Sequence, residues 1–170
     1  MEINRAPVLT LWAVVVAEQL GYPKETALTL GKAVAGLNAQ SKGRSLGIFE
    51  AREKEKAEQE SPGLEVEFVE LMGRHITAAI TGSGMLALNK GKPIDPESVR
   101  RYLDKKFGDE LEPVTRAMQT LAGSFSEDEL KHVAYSLYEK FRPEIPSGRK
   151  GWGAKGELST ERIHALAKRK

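Results

Sequence analysis

The sequence predicts a mainly α protein of the α+β class. It should begin with a helical hairpin, carry a small β-hairpin or strand element in the middle, and continue with three further helices and a short C-terminal helix. Three observations lead there. Apolar residues recur at helical spacing over most of the chain, the period drops to two in LEVEFVEL, and helix-start signatures stand at DPES and SEDE.

APVLTLWAVVVAEQLG reads as the first helix, with Pro7 at its first position, where a missing N–H costs nothing. Val8, Leu11, Trp12, Val15 and Val16 line one face, and Val14 and Leu20 widen the apolar surface until more than one side should be buried. Gly21 ends this helix and Tyr22-Pro23 turns the chain into KETALTLGKAVAGLNAQ. That second helix offers Ala27, Leu28, Leu30, Ala33, Val34 and Leu37 as apolar positions, and Ala27, Gly31, Ala35 and Gly36 as small residues suited to close approach. Helix, glycine turn, helix is also the layout of a DNA-reading helix-turn-helix. Such a recognition helix needs side chains that reach base edges, and here only Lys32 is a central cation, so the structural hairpin is preferred.

Gly43 and Gly47 break the helix in SKGRSLGIFE, and the charged run EAREKEKAEQE leads to SPG at 61–63. This predicts an N-terminal hairpin over 1–48, a charged linker or solvated helix over 49–63, a β element with helices over 64–146, and a basic Gly/Trp loop with a terminal helix over 147–170, together forming one compact domain. In the β element, Leu64, Val66 and Phe68 alternate with Glu65 and Glu67, and the arms Ile76–Ile80 and Met85–Leu88 flank a TGSG turn. A helix from Leu64 to Ile80 competes, since Val69, Met72, Ile76 and Ile80 also space helically; Gly73 and the recurrent Thr and Ile favour strands.

Asp95 should cap the next helix, with Pro96 first, Val99, Tyr102, Leu103 and Phe107 inward and Gly108 at its end. DELEPVTRAMQTLA follows as a helix with Pro113 in its first turn. Ser126 and Glu129 form a capping box that opens a helix lined by Leu130, Val133, Ala134, Leu137, Tyr138 and Phe141. Ser159 or Thr160 caps the last helix, whose stripe is Ile163, Leu166 and Ala167.

Composition bounds the function more than it names it. Hydrophobic residues make up 40% of 170, charges nearly cancel at +2, and cysteine is absent. No disulfide, thiolate nucleophile or cysteine metal site is available, and a reducing cytoplasm is the expected compartment. The longest apolar run falls far short of the ~20 residues that span a bilayer, so no membrane association is expected. From Arg142 onward eight Lys and Arg stand against three Glu, a net of +5, which leaves −3 for the first 141 residues.

GWGAKG, residues 151–156, matches the spacing of a dinucleotide fingerprint. The context denies it: Phe141–Pro146 holds two prolines and makes a poor strand, and only 14 residues follow Gly156. A phosphate-binding P-loop fails on residues, because Glu157 stands where lysine belongs. Two readings of the stretch remain. Arg149, Lys150, Trp152 and Lys155, extended by Arg162, could grip phosphates and stack a base; or Trp152 could anchor the tail on the core with the lysines solvated.

His75, His132 and His164 lie far apart, with no metal-binding pair and no G-x-S-x-G elbow among the serines. No catalytic residue, metal or cofactor is therefore expected. The expected function is that of a cytosolic binding or interaction protein with a protein partner or a second copy of itself. The alternative is a nucleic-acid-binding module using the basic Gly-Trp tail, and an enzyme with a spatially assembled site comes third.

Overall fold

The computed structural model describes residues 1–40, 65–82, 84–89, 91–144 and 155–167. The elements run β1 (Glu2–Ile3), α1 (Arg5–Gln19), α2 (Lys24–Gln40), β2 (Glu65–Leu71), β3 (Arg74–Thr81), β4 (Gly84–Asn89), β5 (Lys92–Pro93), α3 (Pro96–Phe107), a 3-10 turn (Gly108–Glu110), α4 (Leu111–Gly123), α5 (Glu127–Phe141), β6 (Gly156–Glu157) and α6 (Thr160–Ala165). The expected α+β class holds, helical hairpin included. The charged linker expected over 49–63 and the helix-breaking stretch SKGRSLGIFE before it lie outside the described residues.

The core is organised around α1. It starts at Arg5, two residues earlier than the proline rule suggests, so Pro7 takes the third helical position, still inside the turn that needs no intrahelical N–H bond. Every residue from Pro7 to Ala17 is buried. A helix apolar all round must be covered all round, and α2, α3, α4 and α5 all pack on this one. Trp12 is fully buried; its indole N–H donates to the Ala134 carbonyl at 2.8 Å and its ring meets Phe141 edge-on at 5.3 Å. Gly31 of α2 lies so close to α1 that a Cβ there would come within 2.5 Å of Val14 Cγ2 and 2.6 Å of the Thr10 carbonyl oxygen. Gly31 is thus a point of close approach between the helices, whereas Gly36 faces open space.

The strands form an antiparallel meander in the order β2-β3-β4-β5. Gly73 does not interrupt a strand but makes a turn: Leu71 pairs with Arg74, and the two loop residues Met72 and Gly73 have φ of 53° and 75°. Positive φ at both positions marks the tight loop whose twist matches the flanking strands. Helix α2 lies against the sheet, where Thr26 Oγ1 donates to the Met85 carbonyl at 2.6 Å and Thr29 Oγ1 accepts from the Ala87 N–H at 3.0 Å. The face of the second helix that a DNA-reading arrangement would present is thus partly committed to the protein's own sheet.

Val69, Ile76, Ala78 and Ala87 belong to the main core, whereas Val66, Ala79 and Leu86 form a row across three strands that is buried outside that cluster. Apolar residues on both faces explain why the alternation in β2 breaks at Phe68 and Val69.

Downstream, the local signals hold. Asp95 accepts from the Glu97 N–H, Gly108 at φ 55° ends α3, Pro113 sits in the first turn of α4, and Ser126 and Glu129 close a complete capping box on α5. Ser159, not Thr160, caps α6. A two-stranded sheet the sequence did not announce pairs β1 with β6. The Met1 amino group donates to Glu157 at 2.8 Å, Glu144 bridges to Glu157, and Arg5 Nε donates to the Pro143 carbonyl at 2.8 Å.

Candidate functional site

The last glycine of GWGAKG has a structural cause. Gly156 is buried in β6, and a Cβ there would land on the backbone oxygen, carbon and nitrogen of Glu144. Only glycine lets the strands come this close. Of the five residues expected to hold phosphates, Arg149, Lys150 and Trp152 lie outside the described residues. Lys155 is exposed at the entrance to β6, and Arg162 is exposed on α6, where its Nη1 stands 3.4 Å from Glu144 Oε1. The structure places the last two beside the β1–β6 pair, and Arg162 already has an acidic neighbour.

Two clefts flank α1 on opposite sides. Residues 11, 15 and 18 stand on one side of the helix, and residues 16 and 20 project about half a turn away. The first cleft, of about 250 Å³, lies where α1, α2, α3 and α4 converge. Leu11, Val14 and Val15 of α1, Leu28 of α2, Leu103 of α3 and Leu111 of α4 make its walls, and Glu18, Lys24, Arg100 and Asp104 bring charge to it. Leu28 and Leu103 are buried by their own helical stripes, so the apolar walls follow from the same periodicity that builds the core.

The charged rim comes from helix ends and exposed faces. Lys24 opens α2 and pairs with Glu18 at 3.0 Å across the Gly21 turn; Arg100 of α3 pairs with Glu97 at 2.9 Å and lies 3.7 Å from Glu25. All of these side chains are about one-third to one-half exposed. Thr115 lines the cleft too, but its hydroxyl donates to the Leu111 carbonyl one turn back, at 2.6 Å. The arrangement can hold an apolar group between four helices and meet both signs of charge where that group enters.

The second cleft, of about 420 Å³, is lined by Val16 of α1, Leu20 just past its end, Tyr22, the Glu70–Gly73 turn, and Leu130, Lys131, His132 and Ala134 of α5. Met72, a bulky residue at φ 53°, forms part of it. His132 Nδ1 lies 2.7 Å from the Asp128 carbonyl oxygen. A carbonyl can only accept, so Nδ1 carries the proton and Nε2 is the basic nitrogen of the neutral ring. Among the described residues no group of three or more His, Asp and Glu is gathered to hold a metal ion, and no helix is long and apolar enough to cross a membrane.

No sequence motif marks any residue of the first cleft as a site. Leu11, Val14, Leu28 and Leu103 look like any core positions, and Glu18, Lys24, Arg100 and Asp104 are spread over three helices. Comparison of the chain with family models, with curated proteins and with solved structures finds no match.

Proposed function

We propose that this chain is a binding protein of the cytoplasm, and that its ligand or partner inserts an apolar group into the cleft between α1, α2, α3 and α4. The observation that supports the reading is the pairing of a wall of Leu and Val with a rim carrying Glu18, Lys24, Arg100 and Asp104 in one concavity of about 250 Å³. Binding sites combine apolar walls, which supply affinity, with a few polar groups, which fix orientation. An apolar cavity of roughly 150 Å³ already accepts a benzene-sized molecule.

The interaction reading drawn from the sequence changes its surface here. The apolar face of α1 is consumed by the protein's own core, so the binding surface is the seam the helices leave between them. Titration of the isotopically labelled chain with small apolar and amphipathic molecules, followed by amide NMR shifts, tests this. Shifts concentrated at Val14, Val15, Leu28, Leu103 and Thr115 are expected. Shifts scattered over the surface, or none at all, would overturn the reading.

A further inference from the structure

We infer that the occupant of this cleft is a free α-amino acid with an apolar side chain, held as its zwitterion; this rests on the reading of the cleft as a binding site. The rim carries two cations, Lys24 and Arg100, and two carboxylates, Glu18 and Asp104. A fatty acid would satisfy the cations and confront the carboxylates, and a simple amine the reverse. A zwitterion meets both signs at once.

The walls choose the side chain. Leu11, Val14, Leu28 and Leu103 offer no hydrogen bond, and the Thr115 hydroxyl is occupied within its own helix. A polar group entering there would lose its water without replacement, a loss of about 1–3 kcal/mol or a factor of roughly 5–150 in affinity. The existing rim pairs are no obstacle. Glu18–Lys24 and Glu97–Arg100 are partly exposed, and exposed ion pairs contribute little. The ligand's carboxylate can take the place of Glu18 beside Lys24 and of Glu97 beside Arg100, and its ammonium can meet Asp104.

The experiment is a calorimetric and NMR titration of the full chain with L-leucine, L-phenylalanine, L-leucinamide, 4-methylpentanoate and L-glutamate. The amide lacks the carboxylate, and the deaminated acid lacks the ammonium. Leucine or phenylalanine should bind in the cleft, with both truncated analogues weaker by up to about fivefold, since each loses an ion pair with a partly exposed partner. Glutamate should bind weakest. Lys24→Gln, Arg100→Gln and Asp104→Asn change exposed side chains, leave the core intact by circular dichroism, and should each weaken leucine several-fold. Equal binding of leucine and its truncated analogues would overturn the inference. Neutral apolar fragments that enter the cleft while amino acids do not would also overturn it, yet leave the binding reading standing; a cleft that nothing enters would remove both.

Discussion

The indole N–H of Trp12 on α1 donates to the carbonyl oxygen of Ala134 on α5 at 2.8 Å, linking residues 122 positions apart inside the core. Both groups are removed from water, and because Ala134 lies inside α5 the indole is a second, side-chain donor to a carbonyl that also belongs to the helix ladder. Trp12→Phe keeps most of the ring but leaves that carbonyl without its side-chain donor and opens space beside Phe141. A loss of about 2 kcal/mol is expected. Urea unfolding checks it, as a lower midpoint with an unchanged slope.

Gly31 and Gly36 lie on the same helix and should answer the same substitution in opposite directions. At an exposed helical position Ala is favoured over Gly by up to about 1 kcal/mol, and nothing lies within 4 Å of a Cβ on Gly36. Gly36→Ala should therefore raise the melting temperature. Gly31→Ala would set a methyl against Val14 Cγ2 and the Thr10 carbonyl oxygen. Overpacking of that kind costs roughly 1–3 kcal/mol, so its melting temperature should fall. The two melting curves, measured side by side, decide the point.

Removing the chain after Pro146 takes away buried Leu158 and Ile163 and the partner strand of β1. At roughly 1.5–3 kcal/mol for each buried side chain, the melting temperature should drop by at least about 6 °C. Gly156→Ala tests the same region with one methyl, which meets backbone that cannot swing aside, and should also lower the melting temperature. Because deletion perturbs packing, nucleic-acid binding by the tail is better tested by charge reversal at Arg149, Lys150 and Lys155 in the intact chain. Removing one cation that holds a phosphate should flatten the log–log salt dependence by about 0.7–0.9. An unchanged slope, or no binding at low salt, removes that alternative.

Burial pushes the Tyr138 hydroxyl up to about 12 from an ordinary 10.0, with Arg142 and Arg5 pulling the other way and Tyr135 and Glu139 adding to the rise. The sign follows directly: the folded state favours the neutral phenol, so its contribution to stability is intact below pH 10 and is lost as the pH climbs from 10 towards 12. Tyr138→Phe should remove part of that alkaline destabilisation. Its cost at neutral pH should be small, because the hydroxyl's bond to the Arg5 carbonyl is long, at 3.3 Å. Stability measured at about pH 8 and about pH 11 for both proteins, either side of the phenol's ordinary range, gives the comparison. An equal drop in each would mean that other groups govern the alkaline limb.

What was legible in the sequence was local. Asp95 with Pro96, Ser126 with Glu129, and Gly108 at the end of α3 act within a single turn of chain, so residue type and spacing suffice to read them. The unbroken apolar run of α1 announced burial on several sides, because no helix surface that apolar can stay in water. The alternation around Val66 correctly indicated strand over the competing helix. Gly73 spoke against the helix, but a glycine alone does not say that it turns one strand into the next; the pairing of Leu71 with Arg74 decides that.

Relationships across the chain were decided by tertiary structure alone. Two-residue strands such as β1 and β6 carry no period, and Gly156 matters only because Glu144 passes over it. The candidate site was illegible for the same reason: its walls are ordinary core residues of four helices, and its charges are ordinary surface residues of three. Helix periodicity determines which face turns inward, but the gap left between four packed helices depends on how their side-chain volumes add up where they meet, and that sum exists only in the folded protein.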